Sequence, residues 1–297
     1  MLMKNSRSLV ATALLWCAVG GAQAADVTQS EAIVVTGQTP ERLNQFVDQL
    51  TAVSPMADQL PRWDNRICTS VAGLPRRQAE FFADRVAQRG AALGLEPGEP
   101  GCQANVSIFF SSESDVLARR MFEEDRAMFA YFYEANVATL GQGAFNSTFL
   151  NSTAPVRWWH VARTVGANGI SLSGDASQGG LSNAPVQRST GTRMRNETRQ
   201  DLSRVIIVVD ASRVGTAPLS AIADYVSMVA LAQIDPTADT SGYPTILNLF
   251  EQSGERPTSL TDWDMAFLDG LYRSTRYAPN ARQQEREIAR RMNGAAN

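Results

Sequence analysis

The amino-acid sequence predicts an α+β protein in which a mixed β-sheet packs with several long helices. The first observation is residues 205–209, which are apolar on both sides of the chain, as in a central strand. The second is residues 218–233, where apolar side chains recur at helical spacing and leave almost no polar face, so this helix is expected to be buried. The third is a strand, helix and strand pattern within residues 71–110.

The first 24 residues have the features of a secretory signal peptide. Lys4 and Arg7 give a positive segment, an apolar run follows, and Ala22-Gln23-Ala24 matches an A-x-A cleavage site. The apolar run is shorter than the roughly 20 residues that a membrane span needs, and the sequence offers no second span. We therefore expect an exported protein, periplasmic or secreted, without stable membrane insertion after the signal is cleaved.

Composition excludes several kinds of catalytic site. Lys4 is the only lysine, so the chain after the predicted cleavage has no Schiff-base lysine, Ser–Lys dyad or P-loop. His160 is the only histidine, which excludes a two-histidine zinc site. Residues 25–297 carry 25 basic and 30 acidic side chains, and this balance gives no basic surface for nucleic acid. The sequence predicts no metal and no cofactor.

Cys68 and Cys102 are the two cysteines that follow the predicted signal peptide. In an oxidising compartment an even pair is most simply a disulfide. This one would close a loop of about 35 residues and contribute roughly 4 kcal/mol in the chain-entropy model. The alternative is a free nucleophilic cysteine that acts with His160.

Residues 25–61 are predicted to form an N-terminal arm, and residues 62–293 a single α+β domain. The arm has a short β-prone run at 32–36 and a helix that begins at Thr39-Pro40, with a threonine cap, a proline in the first turn and apolar residues at helical spacing. The arm either packs on the domain or extends from it.

The domain begins with a β-α-β-like unit. A short strand at 71–73, a helix at 74–95 and a strand at 105–110 make up this unit, and the disulfide would tie it together. A second long helix is predicted for 115–138. Its three consecutive acids, Glu123-Glu124-Asp125, are interpreted as a solvated face, because adjacent residues of a helix point in different directions.

The rest of the domain continues the same alternation of strands and helices. Residues 156–161 form a predicted strand with Trp158 and His160 on one face and Trp159 on the other. Residues 166–201, rich in Gly, Ser, Asn and Thr, are predicted to be a long hairpin loop that leads into the central strand. After the buried helix come an apolar segment at 243–250, a helix capped by Thr261 and an arginine-rich terminal helix at 280–293.

Four side chains are candidates for carboxylate or histidine chemistry: His160, Asp210, Asp224 and Asp235. The aspartates lie near the ends of the central strand–helix unit, and the strand that carries the histidine is expected to neighbour it. Aspartates at such positions are also common caps and turn residues. A solitary histidine beside tryptophan is more often packed than catalytic.

Several features resemble a group of exported proteobacterial proteins of unknown function, over about residues 60–292. They are Trp63-x4-Cys68, Gly73, Gly101-Cys102-Gln-Ala-Asn105, the strand and helix at 204–233, Ile246-Leu-Asn-Leu-Phe250, and Asp264 through Leu271-Tyr272.

The order of elements around the buried helix also resembles a zincin metallopeptidase domain, whose helix bears H-E-x-x-H. That motif falls near Tyr225-Val226-Ser227-Met228-Val229, and none of its three functional residues is present. The resemblance therefore implies a scaffold without zinc binding or peptidase activity.

These observations predict a non-catalytic exported domain on a degenerate peptidase-like scaffold, a pseudo-enzyme. Its expected partner is a protein, a cell-envelope component or a small ligand, and not a nucleic acid. One alternative is a hydrolase that uses carboxylate, serine or His160 chemistry. The other is a purely structural periplasmic protein.

Overall fold

A computed structural model describes residues 39–64, 66–166, 196–251 and 256–295. The predicted signal peptide, the run at 32–36 and most of the predicted loop at 166–201 lie outside the described residues. The strands are β1 (Arg66–Ile67), β2 (Thr69–Ala72), β3 (Glu96–Pro97), β4 (Val106–Ser111), β5 (Val137–Ala138), β6 (Val156–Gly166) and β7 (Thr198–Asp210). The α-helices are α1 (Pro40–Leu50), α2 (Arg76–Ala92), α3 (Ser114–Glu124), α4 (Gln142–Ala144), α5 (Leu219–Leu231), α6 (Asp262–Arg273) and α7 (Ala281–Ala295).

A five-stranded mixed sheet has the order β2-β4-β7-β6-β5. The first three of these strands run parallel, while β6 pairs antiparallel with both β7 and β5. The predicted α+β class and mixed sheet are confirmed. The strand at the centre of the order, β7, contains the apolar run at 205–209, because only a strand covered on both faces can be apolar throughout.

Two apolar clusters lie on the two faces of this sheet, and neighbouring residues of a strand belong to different clusters. Trp158 and Ile207 belong to the larger cluster, which also contains α5. Trp159 and Ile206 belong to the smaller one, which also contains Ala118 of α3. The predicted alternation along β6 is therefore confirmed.

Helix α5 is buried along almost its whole length: every residue from Ala221 to Leu231 is buried. Two of its polar side chains have partners within the fold, since the Ser227 hydroxyl donates to the Ala223 carbonyl at 2.7 Å and Asp224 forms ion pairs with α2. The sequence prediction of a helix enclosed on most sides is confirmed.

Helix α1 begins where the sequence indicated, with the Thr39 hydroxyl accepting from the Arg42 N–H at 3.2 Å. Its apolar positions, among them Phe46 and Leu50, are buried in the larger cluster. The main chain continues this contact, because Thr51 forms a β-bridge with Ile234 just after α5. Helix α1 and the residues just after it are therefore part of the same hydrophobic core as the sheet.

Cys68 and Cys102 form the predicted disulfide, with 6.1 Å between their Cα atoms. The bridge joins the start of β2 to the turn before β4, so it ties together the two ends of the β2-α2-β4 unit. Gly73 ends β2 at a φ of +86°, and an added Cβ there would lie 2.0 Å from the Phe110 carbonyl oxygen. Only glycine fits this close approach.

The predicted helix at 115–138 is wrong in length, because α3 ends at Glu124. Asp125 instead accepts from the Met128 N–H and begins a 3₁₀ turn, and Ala130 then adopts left-handed backbone with a φ of +46°. Two large apolar side chains of this stretch are exposed, since Val116 is 55 % exposed and Phe132 is 58 % exposed.

The C-terminal helices follow the sequence closely. Thr261 and Asp264 form a reciprocal capping box at the start of α6, which satisfies two main-chain donors at once. No helix among the described residues combines the length and apolarity needed to cross a membrane.

Candidate functional site

A cleft of about 450 Å³ opens at one edge of the sheet, between residues 147–158, α5 and residues 234–251. The first residue of β6, Val156, pairs with Val209 near the end of β7. The cleft therefore lies at the edge where the parallel strands have their carboxyl ends. Open sheets with parallel strands commonly bind ligands at this edge, and the volume suits a small organic molecule.

Three aromatic side chains line the cleft: Trp158, Tyr225 and Phe250. The ring centroids of Trp158 and Tyr225 are 6.2 Å apart, and those of Tyr225 and Phe250 are 5.1 Å apart. Trp158 is held in place because its indole N–H donates to the Ile234 carbonyl at 3.1 Å. The three rings, which we call the aromatic wall, form a continuous apolar surface from β6 to the 3₁₀ turn Ile246–Phe250.

The Tyr225 hydroxyl is the most unusual polar group of the cleft. The side chain is only 7 % exposed, yet within the described residues its hydroxyl has no hydrogen-bond partner. Burial, with a smaller contribution from the Glu251 carboxylate, raises the pKa of Tyr225, so the hydroxyl keeps its proton at neutral pH. Since Tyr225 lines the cleft, its hydroxyl is available there to donate to a ligand.

Two carboxylates, Asp235 and Glu251, also line the cleft. One oxygen of Asp235 accepts from the Thr237 N–H at 2.8 Å and from the Thr237 hydroxyl at 2.7 Å, which fixes the turn after α5. No cationic side chain in the described part of the chain pairs with either carboxylate. Both negative charges are therefore free to meet a ligand.

Arg157 reaches the cleft from β6, and both terminal nitrogens of its guanidinium are engaged, whereas its buried Nε–H has no hydrogen-bond partner among the described residues. The side chain is fully buried and donates to the Phe149 carbonyl, the Ser114 hydroxyl and the Asp115 carboxylate. Hydrogen bonds from Arg213 and Arg157 hold the pKa of Asp115 far below its usual range. Arg157 thereby ties one wall of the cleft to the start of α3.

Asp210 completes this ionic cluster at the end of β7. It accepts from the Ser114 hydroxyl at 2.5 Å and from the Ser212 N–H at 2.9 Å, and Arg213 lies 3.3 Å away. Burial acts to raise the pKa of Asp210, but the hydrogen bonds from Ser114 and Ser212 outweigh it and lower the pKa. This predicted candidate residue fixes the turn that follows the central strand.

The other predicted candidates lie apart from one another. His160 is buried on the α5 side of β6, where its Nε2–H donates to the Val229 carbonyl at 2.7 Å. Asp224 is also fully buried, paired with Arg85 and Arg89 of α2. Among the four candidates only Asp235 lines the cleft, and no contact in the described ranges joins any two of them.

Sequence reasoning missed the aromatic wall and Glu251. These residues come from three separate parts of the chain and form no motif, so only the fold brings them together. One signal was available: Tyr225 is the only aromatic residue in a helix otherwise built from aliphatic and small side chains. An aromatic residue with a polar tip in such a helix indicates a place where one end of the side chain reaches a polar environment.

His160 is expected to make the protein less stable in mild acid. Burial lowers its pKa from 6.5 to about 4, although the Val229 hydrogen bond acts in the opposite direction. Between these values the unfolded chain binds a proton that the folded chain excludes, so stability is complete above pH 6.5 and falls as the pH drops toward 4. The loss at about pH 5 should be roughly 2 kcal/mol.

Urea unfolding of the wild type and of His160→Gln, at about pH 8 and about pH 5, measures this loss. Glutamine keeps a donor for Val229 but does not titrate, so the variant should show the smaller pH dependence. Burial raises the pKa of Asp264, so this acid also contributes to the pH dependence of stability. Its contribution is the same in both proteins and cancels when their pH dependences are compared. Equal pH dependence in the two proteins would contradict the prediction.

Comparisons with known proteins identify no relative of this chain. No family model matches the sequence, and no curated protein and no solved structure is significantly similar to it. Among the described residues, no group of three or more His, Cys, Asp or Glu side chains is placed to hold a metal ion. The chemistry of the cleft is therefore the basis for a functional proposal.

Proposed function

We propose that this chain is an exported binding domain that holds a small ligand in the cleft and does not convert it. The observation that carries the proposal is the aromatic wall with the Tyr225 hydroxyl, which has no hydrogen-bond partner among the described residues, at its centre. A ligand that accepts from this hydroxyl would exchange a contact with water for a hydrogen bond inside the cleft. The net contribution of such a hydrogen bond is about 0.5–1.5 kcal/mol.

The state of three cleft hydroxyls supports binding over hydrolysis. The hydroxyl of Ser147 donates to Gly143 at 3.1 Å, and that of Thr148 donates to Ala144 at 2.7 Å, both to main-chain carbonyls. The Thr237 hydroxyl does contact a carboxylate, but its hydrogen bond to Asp235 fixes the turn after α5, and His160 is committed to Val229. A nucleophilic hydroxyl needs an adjacent base within hydrogen-bond reach.

Two further features support the other parts of the proposal. The disulfide is typical of an oxidising compartment, in agreement with export to the periplasm or beyond. The proposal also includes a degenerate zincin-like scaffold, in which Tyr225, Val226 and Val229 occupy the positions of the metal-binding motif. Tyr225 would then bind ligand at the position where a zincin metallopeptidase binds its metal.

A cleft-filling variant tests the proposal. Ala154 is exposed and lines the cleft, so Ala154→Trp should block it. Ala91 is exposed on α2, away from the cleft, and Ala91→Trp is the matched control. A thermal-shift screen of periplasmic metabolites should find a compound that stabilises the wild type and the control but not Ala154→Trp. At 100 times Kd the stabilisation is about 2.7 kcal/mol, or a rise in Tm of at least about 5 °C.

Two results would overturn the proposal. If the stabilising compounds act equally on Ala154→Trp, the ligand binds outside this cleft. If mass spectrometry shows that the wild type converts the compound, and that Ala154→Trp does not, the cleft is an active site and the protein is an enzyme.

A further inference from the structure

The unpaired charges of the cleft have one sign. Asp235 and Glu251 line it, and no described cation pairs with either of them. Among the described residues, Arg157 is the one cationic side chain that reaches the cleft, and it makes its hydrogen bonds to Phe149, Ser114 and Asp115, away from these two acids. The cleft therefore presents a negative potential to a ligand.

The aromatic wall lies in the same cleft as these carboxylates. Trp158, Tyr225 and Phe250 supply electron-rich ring systems, and Phe250 is only half-buried. A cation within about 6 Å of an aromatic ring is attracted to the ring face, and groups of aromatic residues are the usual site for quaternary ammonium ligands. The wall and the two carboxylates favour the same kind of ligand.

We infer that the ligand carries a compact ammonium group, packed against the aromatic wall and facing Asp235 and Glu251. This inference rests on the proposed function, since it names the ligand class of the same cleft. An anionic ligand would meet two uncompensated negative charges, and a neutral one would gain hydrogen bonds from them but no attraction between opposite charges. The ammonium group belongs either to a free organic cation or to a lysine side chain of a peptide.

Two pairs of probes separate charge from shape. Choline is compared with 3,3-dimethyl-1-butanol, which has the same shape with carbon in place of the ammonium nitrogen. The peptide acetyl-Ala-Lys-Ala-amide is compared with its norleucine analogue. Calorimetric titration should show, for one of the two pairs, at least about tenfold tighter binding of the cation than of its neutral counterpart. The pair that shows this preference identifies whether the ammonium group belongs to a free organic cation or to a lysine side chain.

Charge-neutral variants assign the effect to the two carboxylates. Asp235→Asn and Glu251→Gln keep the side-chain shapes, and the double variant should lose the preference of about tenfold for the cation. Glu123→Gln, at an exposed position on α3, should keep the wild-type preference. Urea unfolding of each variant confirms that the fold is retained.

The outcomes distinguish the inference from the proposed function. If neither cation binds more tightly than its neutral counterpart, the inference is wrong. Should the neutral probes nevertheless bind the wild type and not Ala154→Trp, the cleft remains a binding site for an apolar ligand. A preference for the cation that survives in the double variant would also overturn the inference.

Discussion

Replacing both Cys68 and Cys102 by alanine should lower the free energy of unfolding by about 4 kcal/mol. The two residues are 34 positions apart, so the bridge removes much of the freedom of this loop in the unfolded chain. The bridge also holds the β2-α2-β4 unit closed at the point where both strands begin. Urea unfolding of the wild type and of the double variant, each with and without a reductant, measures the difference in the free energy of unfolding.

The reductant provides an internal control for this prediction. Reduction should bring the wild type down to the stability of the double variant, and it should leave the variant unchanged. A variant within about 1 kcal/mol of the oxidised wild type would contradict the prediction. It would mean that the unfolded chain is already restricted in this region.

The variant Asp224→Ala should lose about 3 to 5 kcal/mol of stability. The carboxylate of Asp224 is fully buried and accepts from Arg89 at 2.9 and 3.0 Å, from Arg85 at 3.3 Å and from the Leu260 N–H at 3.2 Å. It therefore joins α5 to α2 and to the segment before α6. Its removal leaves two guanidinium groups and one main-chain donor without their acceptor.

Two other substitutions test whether the burial of Asp224 causes the large loss of stability. Asp224→Asn keeps an acceptor oxygen and should lose less than Asp224→Ala. Arg76→Ala removes an ion pair with Glu80 in which Arg76 is almost fully exposed, and its stability should stay close to that of the wild type. If urea unfolding shows equal losses of stability for Asp224→Ala and Arg76→Ala, the claim that the buried ion pairs of Asp224 stabilise the fold more than an exposed pair is contradicted.

Much of the fold could be predicted because its signals are local. The uniform apolarity of residues 205–209 identified the central strand, and the lack of a polar face on residues 218–233 identified the buried helix. The cysteine pair and the Thr261 cap likewise depend on few residues. The end of α3 was missed because aromatic residues continue at helical spacing past Asp125, while the hydrogen bond from Met128 to Asp125 starts a different turn.

The candidate site was much harder to predict, because its parts are distant in the sequence. Trp158, Tyr225 and Phe250 come together only when β6 pairs with β7 and the 3₁₀ turn packs on α5. The aspartates near the strand and helix ends could be identified from the sequence, but their partners could not. Asp210 and Asp224 prove to be parts of ionic clusters, whereas Asp235 lies at the cleft.

The central claim is that ligand binds in this cleft, and two adjacent tryptophans test it most directly. The Trp158 indole N–H donates to Ile234 beside the cleft, whereas the Trp159 indole N–H donates to Phe129 on the other face of the sheet. Their resonances can be assigned in a two-dimensional NMR spectrum from Trp158→Phe and Trp159→Phe. On saturation with ligand, the Trp158 resonance should shift and the Trp159 resonance should stay in place. A shift of Trp159 alone, or no shift of Trp158 at saturation, would contradict the claim.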